Sequence, residues 1–240
     1  MLSQIVKKIV INNFREDDIK NGGEGAPLTP IFHKLLSEII NQNYKINYPI
    51  NIINIGGITN VTNIYKDNVS FNNGLNAFDI APGNCLIDEW VRKNSKNKFD
   101  RNGLIARAGK VNKLILNQAL DNFNITKITN SLDIKDFDIS FVKGLSLEDG
   151  CATLTKFTAS LIARGIVSVN QINNFDTYTN LVCGGGRKNK FLIESINENI
   201  KIKNNTLEDI DQYDFNGDYI ESQAFAYLAI RSFLKLPISF

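Results

Sequence analysis

The chain has 240 residues, of which 43% are hydrophobic and 22% are charged, so it is long enough to bury its own core and is not a disordered protein. Its formal net charge is +2 and its charges are scattered, which disfavours a nucleic-acid or membrane-surface partner. Three widely separated cysteines and one histidine predict buried thiols in a reducing compartment and exclude a His-rich metal site. Because the sequence shows neither a signal-peptide pattern nor an apolar run of about 20 residues, we expect a cytoplasmic protein.

The first 48 residues are predicted to hold a short apolar run at 5–11, a glycine-rich turn at 21–25 and a helix after Pro30. We place Arg15 at the end of a strand, where its guanidinium is either a surface charge or a bidentate clamp for an anion. Tyr48 precedes a proline and is therefore biased away from helix, so the best candidate for a domain boundary lies between 48 and 49.

Residues 49–240 predict an α/β fold, because antiparallel strands are followed by alternating strands and helices. The β-branched stretches on either side of Gly56-Gly57 predict a hairpin with a positive φ at both glycines. The predicted strands cover 50–55, 58–65, 77–80 and 180–183, with others near 69–71 and 200–203. The predicted helices follow Pro82-Gly83-Asn84 and cover 110–123, 148–169, 188–198 and 218–235.

Two glycine turns are candidates for binding an anion. Gly56 and Gly57 leave backbone N–H groups unobstructed by a Cβ, although taken alone this pair is interpreted as a plain hairpin turn. Gly184, Gly185 and Gly186 join a strand to a helix, whose N-terminal N–H groups and dipole suit a phosphate or a nucleotide. Neither turn has the spacing of a Walker A loop or of a Rossmann dinucleotide motif.

Two acidic residues and the histidine have competing interpretations. Asp79 lies between two apolar residues near a strand end, where partial desolvation would raise its pKa and suit it to general-base chemistry. It is predicted equally well to cap the helix that begins near Gly83. Glu221 lies in the first turn of a helix, where it complements the helix dipole. His33 is interpreted as a partly buried, hydrogen-bonded residue rather than as a catalyst.

Six segments, in this order along the chain, resemble the anhydro-N-acetylmuramic acid kinase family. They are Asn13-Phe14-Arg15, GGEGAPL at 22–28 with Pro30 and His33, NIGGITN at 54–60, Phe78-Asp79 with 82–84 and Asp88, 183–186 with Asn189, and ESQAFA at 221–226. The resemblance covers essentially the whole chain and implies the actin-like, sugar-kinase and Hsp70 ATPase superfamily. In that superfamily two ribonuclease-H-like α/β domains flank a nucleotide cleft. Residues 1–48 would be part of the first domain, and residues 49–240 a nearly complete second domain whose C-terminal helix returns toward the first.

The resemblance also implies an activity. The family phosphorylates 1,6-anhydro-N-acetylmuramic acid with ATP and Mg²⁺ while water opens the anhydro bridge, and it yields N-acetylmuramic acid 6-phosphate in cell-wall recycling. Asp79 matches the catalytic carboxylate, which takes a proton from the attacking water. The matched nucleotide-binding residues are Gly56, Gly57, Gly184, Gly185 and Gly186. The matched substrate-binding residues are Glu221, Asn84 and Arg15, and no metal ligand is assigned.

The sequence departs from the family pattern in ways that bear on activity. The family's G-T-S-L-D-G segment, with its metal-associated aspartate, has no counterpart in the 240 residues, and residues 237–240 stop short of the family's usual glycine- and proline-bearing tail. We therefore expect a member truncated at both ends and inactive as an isolated chain. We also expect residues 1–48 to expose apolar surface. Asn13 and Glu24 replace the usual Asp and Gln, and Ile80-Ala81 replace Thr-Gly. A non-catalytic remnant and a sugar- or nucleotide-binding module are the alternatives. A separate amino-terminal chain and a second copy of this chain are candidate partners beside ATP and the amino sugar.

Overall fold

A computed structural model describes residues 2–23, 25–66, 74–123, 132–172, 178–200 and 207–239. The helices in these ranges are α1 (Leu2–Val6), α2 (Phe14–Lys20), α3 (Pro30–Tyr44), α4 (Cys85–Asn94), α5 (Leu104–Ala108), α6 (Lys113–Asn122), α7 (Leu147–Ile172), α8 (Lys190–Ile200) and α9 (Ile220–Phe233). The strands are β1 (Ile50–Ile55), β2 (Ile58–Ile64), β3 (Leu75–Pro82), β4 (Thr179–Cys183) and β5 (Leu207–Asp209).

The strands form one mixed sheet in the order β3-β2-β1-β4-β5. β1, β2 and β3 are antiparallel neighbours, whereas β4 runs parallel to β1 and β5 runs parallel to β4. This arrangement confirms the expected α/β class, with antiparallel strands first and helix-connected parallel strands after them. The strands predicted near 69–71 and 200–203 fall largely on residues 67–73 and 201–206, which lie outside the described ranges.

The two faces of β1 belong to two hydrophobic cores. Because side chains alternate along a strand, Ile53 and Ile55 join the core that includes α7, whereas Ile50 and Ile52 join the core that includes α3. The sheet is therefore buried on both sides, which accounts for the nearly continuous apolar run of β1. The three cysteines are buried free thiols, as predicted.

Helix α3 covers one face of the sheet, although it precedes the predicted domain boundary. Leu36 and Ile40 are fully buried in the core that the helix shares with the sheet. α9 packs beside it, since the rings of Phe32 and Tyr227 lie 5.8 Å apart. The apolar surface expected from residues 1–48 is present at Ile5 and other positions near the start of the chain, but the inner face of α3 is covered. The division at 48/49 stays a prediction.

The placement of Arg15 at a strand end is wrong, because Arg15 lies in helix α2. Glu16 and Asp17 in the first turn of α2 and Lys20 in its last turn complement the helix dipole, and this charge pattern was overlooked in the sequence. Part of the apolar run at 5–11 is also helical, since α1 ends at Val6. The helices predicted at 110–123, 148–169, 188–198 and 218–235 are confirmed as α6, α7, α8 and α9. Within the described ranges, no helix has the length and apolar character to cross a membrane.

Candidate functional site

A cleft of about 960 Å³ opens between α2 with residues 25–29 on one side and the glycine turns of the sheet on the other. It brings together residues that are far apart in the sequence. The predicted site residues that line it are Arg15, Gly56, Gly184, Gly185 and Glu221. Gly57, Asp79, Asn84 and Gly186 stand beside the cleft without lining it.

The turn between β1 and β2 is fastened to the start of α4. The Gly57 carbonyl accepts the Gly83 N–H at 2.8 Å, and the Gly56 carbonyl accepts the Asn84 N–H at 2.8 Å. A Cβ at Gly83 would lie 2.3 Å from the Gly56 oxygen, so only glycine allows this approach. The N–H groups of Gly83 and Asn84, directly before α4, are thus occupied by carbonyls and are not free for an anion.

The positive φ expected at both Gly56 and Gly57 is wrong. Ile55 pairs with Thr59, which leaves three residues in the connection, whereas the turn type that demands two positive φ values has two. The register of the hairpin therefore decided the turn type. Gly56 faces the cleft in this conformation.

Each glycine of the second turn has its own structural environment. Gly184 has φ +81°, and a Cβ there would lie 2.3 Å from Oδ1 of Asn54. A Cβ at Gly186 would lie 2.2 Å from Cγ2 of Ile55, so both outer glycines are packed against β1. Gly185 has no atom within 4 Å of a Cβ position and lines the cleft. Its backbone is the part of the turn that a ligand can approach most closely.

Asp79 lies in β3 directly opposite Asn60 of β2, so the two side chains share one face of the sheet. Asn60 lines the cleft, whereas Asp79 accepts a hydrogen bond from the Leu132 N–H at 2.9 Å. Desolvation raises the pKa of the half-buried Asp79 carboxyl, and the Leu132 hydrogen bond acts in the opposite direction. The capping interpretation is wrong, because the N-cap of α4 is Asn84 and no side chain caps it.

Arg15 and Glu221 enter the cleft from different helices, α2 and α9. The helices are joined beside the cleft by the rings of Phe14 and Phe225, whose centroids lie 5.8 Å apart. A guanidinium and a carboxylate at one opening can bind an anionic group and hydroxyl groups of the same ligand.

Three of the lining residues that were not predicted to belong to the site are His33, Asn54 and Asn60. His33 is buried, and its Nδ1 is hydrogen-bonded at 2.7 Å to Oγ1 of Thr62, in agreement with its sequence interpretation. Burial lowers the pKa of His33 to about 4, so it is neutral at pH 7. Asn54 and Asn60 flank the first glycine turn. Their amide side chains near the paired glycines were the signal that could have identified them.

Comparisons with known proteins agree on one family. A family model described as anhydro-N-acetylmuramic acid kinase matches residues 1–240. The protein of that name from Pelagibacter ubique is 54% identical, over all of this chain and 62% of the relative. The one from Zymomonas mobilis is 37% identical, over all of this chain and 61% of the relative.

A solved structure, the activator of the 2-hydroxyisocaproyl-CoA dehydratase from Clostridium difficile with bound ADPNP, is 15% identical with a TM-score of 0.44, over 80% of this chain and 63% of that one. The chain spans about three fifths of the length of the curated relatives that it matches. Since the family model covers every residue, the chain belongs to the anhydro-N-acetylmuramic acid kinase family.

Proposed function

We propose that the cleft is the centre of a sugar kinase that transfers the γ-phosphoryl group of ATP to 1,6-anhydro-N-acetylmuramic acid and opens the anhydro ring with water. The product is N-acetylmuramic acid 6-phosphate. The observation that carries this proposal is the convergence of two glycine turns, Gly56 and Gly184–Gly185, on one cleft that Arg15 and Glu221 also line. Family membership supports the reaction class.

ATP is proposed to bind with its phosphates against the glycine backbones, where no Cβ prevents close approach. Gly185 has open space around it and Gly56 faces the same volume. Mg²⁺ neutralises phosphate charge when it is bound. Among the described residues no cluster of three or more His, Cys, Asp or Glu side chains could hold a metal. That fits an ion held chiefly by the nucleotide, since Mg²⁺ usually takes one or two carboxylates and phosphate oxygens.

Asp79 is proposed as the general base. It takes a proton from the water whose oxygen bonds to the anomeric carbon, the bond from that carbon to the bridging oxygen breaks, and the bridging oxygen accepts the phosphoryl group as ADP leaves. Its desolvated carboxyl, with a raised pKa, is a stronger base than an exposed aspartate. Ile80 packs against Gly165 of α7 on the other side of the sheet, so its replacement of threonine leaves the face of Asp79 unchanged.

Glu221, Asn84 and Arg15 are proposed to bind the sugar, with the Arg15 guanidinium directed at an anionic group. Asn84 would act from the start of α4, beside the Gly56 carbonyl that accepts its N–H. The proposal includes a cytoplasmic location, since three buried free thiols suit a reducing compartment.

We further propose that the 240 residues do not turn over substrate by themselves. Without the family's other phosphate-binding segment, the phosphates of ATP would lack most of the hydrogen-bond donors that compensate their negative charge. The absence of a G-T-S-L-D-G segment from the sequence supports this statement. A partner fragment that carries this segment would complete the site.

The test measures N-acetylmuramic acid 6-phosphate formed from ATP and the anhydro sugar. Purified chain is assayed alone and with a fragment of the Pelagibacter ubique relative that contains the family's G-T-S-L-D-G segment. Product in the mixture and none from the chain alone is the expected result. Product from the chain alone would overturn the requirement for a partner. No product in either sample would overturn the kinase proposal and favour a non-catalytic remnant.

A further inference from the structure

Arg187 follows the second glycine turn directly and is buried, with only 3% of its side chain exposed. Its guanidinium contacts three carboxylates. The distances are 2.6 Å to Asp218, 3.0 Å to Asp211 and 3.4 Å to Asp209. A buried guanidinium needs such partners, and its planar fork can reach several carboxylates at once, which a lysine ammonium cannot do equally well.

The three carboxylates all belong to the segment that leads from β5 into α9. Asp211 also accepts the Gly217 N–H at 2.6 Å, and the Gly217 carbonyl in turn accepts the Gly184 N–H at 3.2 Å. Arg187 packs closely against Gly217, since a Cβ at Gly217 would lie 2.6 Å from Nε of Arg187. Arg187 also donates to the Gly184 carbonyl at 3.0 Å. The glycine turn is thus joined to residues 209–218 by two contacts, one through the Arg187 guanidinium and one through the Gly184–Gly217 hydrogen bond.

The residues joined by these contacts line the cleft, although Arg187 itself does not line the cleft. Gly184, Gly185, Gly217 and Asp218 are all lining residues. Lys188 also pairs with Asp218, so this cleft-lining carboxylate contacts two cations. Without Arg187, Asp218 would keep its pair with Lys188, whereas Asp209 and Asp211 would lose their ion pairs with the guanidinium.

We infer that Arg187 is a positioning residue, which fixes the Gly184–Gly185 backbone for the nucleotide by joining it to the 209–218 segment. The inference rests on the proposed function for the identity of the ligand. Its structural part, the fixing of the turn, stands independently of that function. No contact of Arg187 with the nucleotide is required.

The first measurement is hydrogen exchange in the chain without nucleotide. In Arg187→Met, exchange of the Gly184 amide is expected to accelerate about tenfold or more, because its hydrogen bond to the Gly217 carbonyl loses the guanidinium that holds both residues in place. Amides in the middle of α7 are expected to keep their wild-type rates. The matched control is Arg107→Met, which removes an exposed arginine paired with Glu194 away from the cleft. It should leave the glycine-turn amides unchanged.

The second measurement is kinetic and uses the mixture described above. Arg187→Met is expected to raise the KM for ATP about tenfold while the KM for the sugar stays within about twofold. Arg187→Lys, which keeps the charge and loses the fork, should give a smaller change and serves if the methionine variant does not fold. Unchanged exchange at the turn, or equal losses for ATP and sugar, would overturn the inference. If the wild-type mixture makes no product, the proposed function fails, and the exchange result still decides whether Arg187 holds the turn.

Discussion

The Asp79 carboxylate accepts the backbone N–H of Leu132 at 2.9 Å, so one of its oxygens is occupied in the structure. Asn60, its cross-strand partner, reaches the cleft on the same face of the sheet. The proposed base is therefore half-buried at the margin of the cleft, and its other oxygen, Oδ1, is the one that would take up a proton from water while the Leu132 hydrogen bond persists.

Replacing Asp79 with Asn is expected to lower the rate of sugar phosphorylation in the mixture by about 10² to 10⁴-fold, the usual contribution of a general base. Nucleotide affinity should change little. In the unsubstituted protein, kcat/KM should fall as the pH drops through the raised pKa of Asp79, because protonation removes the base. Product formation over a pH series, together with equilibrium binding of ATP, checks both statements.

The matched control is Asp88→Asn. Asp88 is another half-buried carboxyl whose pKa is raised to about 6, chiefly by desolvation, and it does not line the cleft. We expect the rate of this variant to stay within a few fold of wild type. Equal losses at the two positions would contradict the assignment of Asp79.

Neighbouring glycines of the second turn should respond differently to alanine. Gly186→Ala places a Cβ 2.2 Å from Cγ2 of Ile55 and is expected to lower the free energy of unfolding by about 1 to 3 kcal/mol. In Gly185→Ala the new Cβ has no atom within 4 Å, so the free energy of unfolding should stay unchanged while the KM for ATP rises. Denaturant unfolding and kinetics of both variants test the contrast, and a Gly185→Ala protein with unaltered ATP kinetics would argue against nucleotide contact.

His33 makes stability depend on pH. Its pKa is about 4 in the folded protein against 6.5 for an exposed histidine, because burial disfavours the charged ring. Between these values the unfolded chain binds a proton that the folded chain does not, so folding stability is lost as the pH falls below 6.5.

Relative to His33→Gln, the free energy of unfolding of the wild type should decline by up to about 1.4 kcal/mol per pH unit in this window. Urea unfolding of both proteins between pH 7.5 and 4.5 measures the difference. Parallel profiles would show that His33 is not held neutral.

Ile40 tests whether α3 folds with the sheet. Its side chain is fully buried, so Ile40→Ala is expected to lower the free energy of unfolding by about 2 to 5 kcal/mol within a single cooperative transition. Ile19→Ala, at a side chain that is about half exposed, should change it by about 0.5 kcal/mol or less. A separate early transition for residues 30–44 would contradict the shared core.

Strands and long helices could be predicted because their signals are local. β-branched residues on both sides of Gly56-Gly57 indicated β1 and β2, and apolar spacing of three to four indicated α3. The conformation at Gly56-Gly57 was mispredicted, because it depends on pairing and on the attachment of the turn to α4, neither of which is visible in the dipeptide.

The cleft was harder to predict from the sequence than the fold was. Arg15, Gly185 and Glu221 were singled out one by one or through the family resemblance, and only the fold places them around one volume. Arg187 had no signal at all, since its three carboxylate partners lie more than 20 residues further along the chain.

The most direct test is a crystal structure of the chain with the complementing fragment and a non-hydrolysable ATP analogue. We predict a phosphate oxygen within about 3 Å of the Gly185 N–H, and van der Waals contact of the phosphates with the backbone of Gly56, whose own N–H is donated to the Ile58 carbonyl at 3.2 Å. A nucleotide bound outside this cleft, or one in contact with a single turn, would contradict a site built from both.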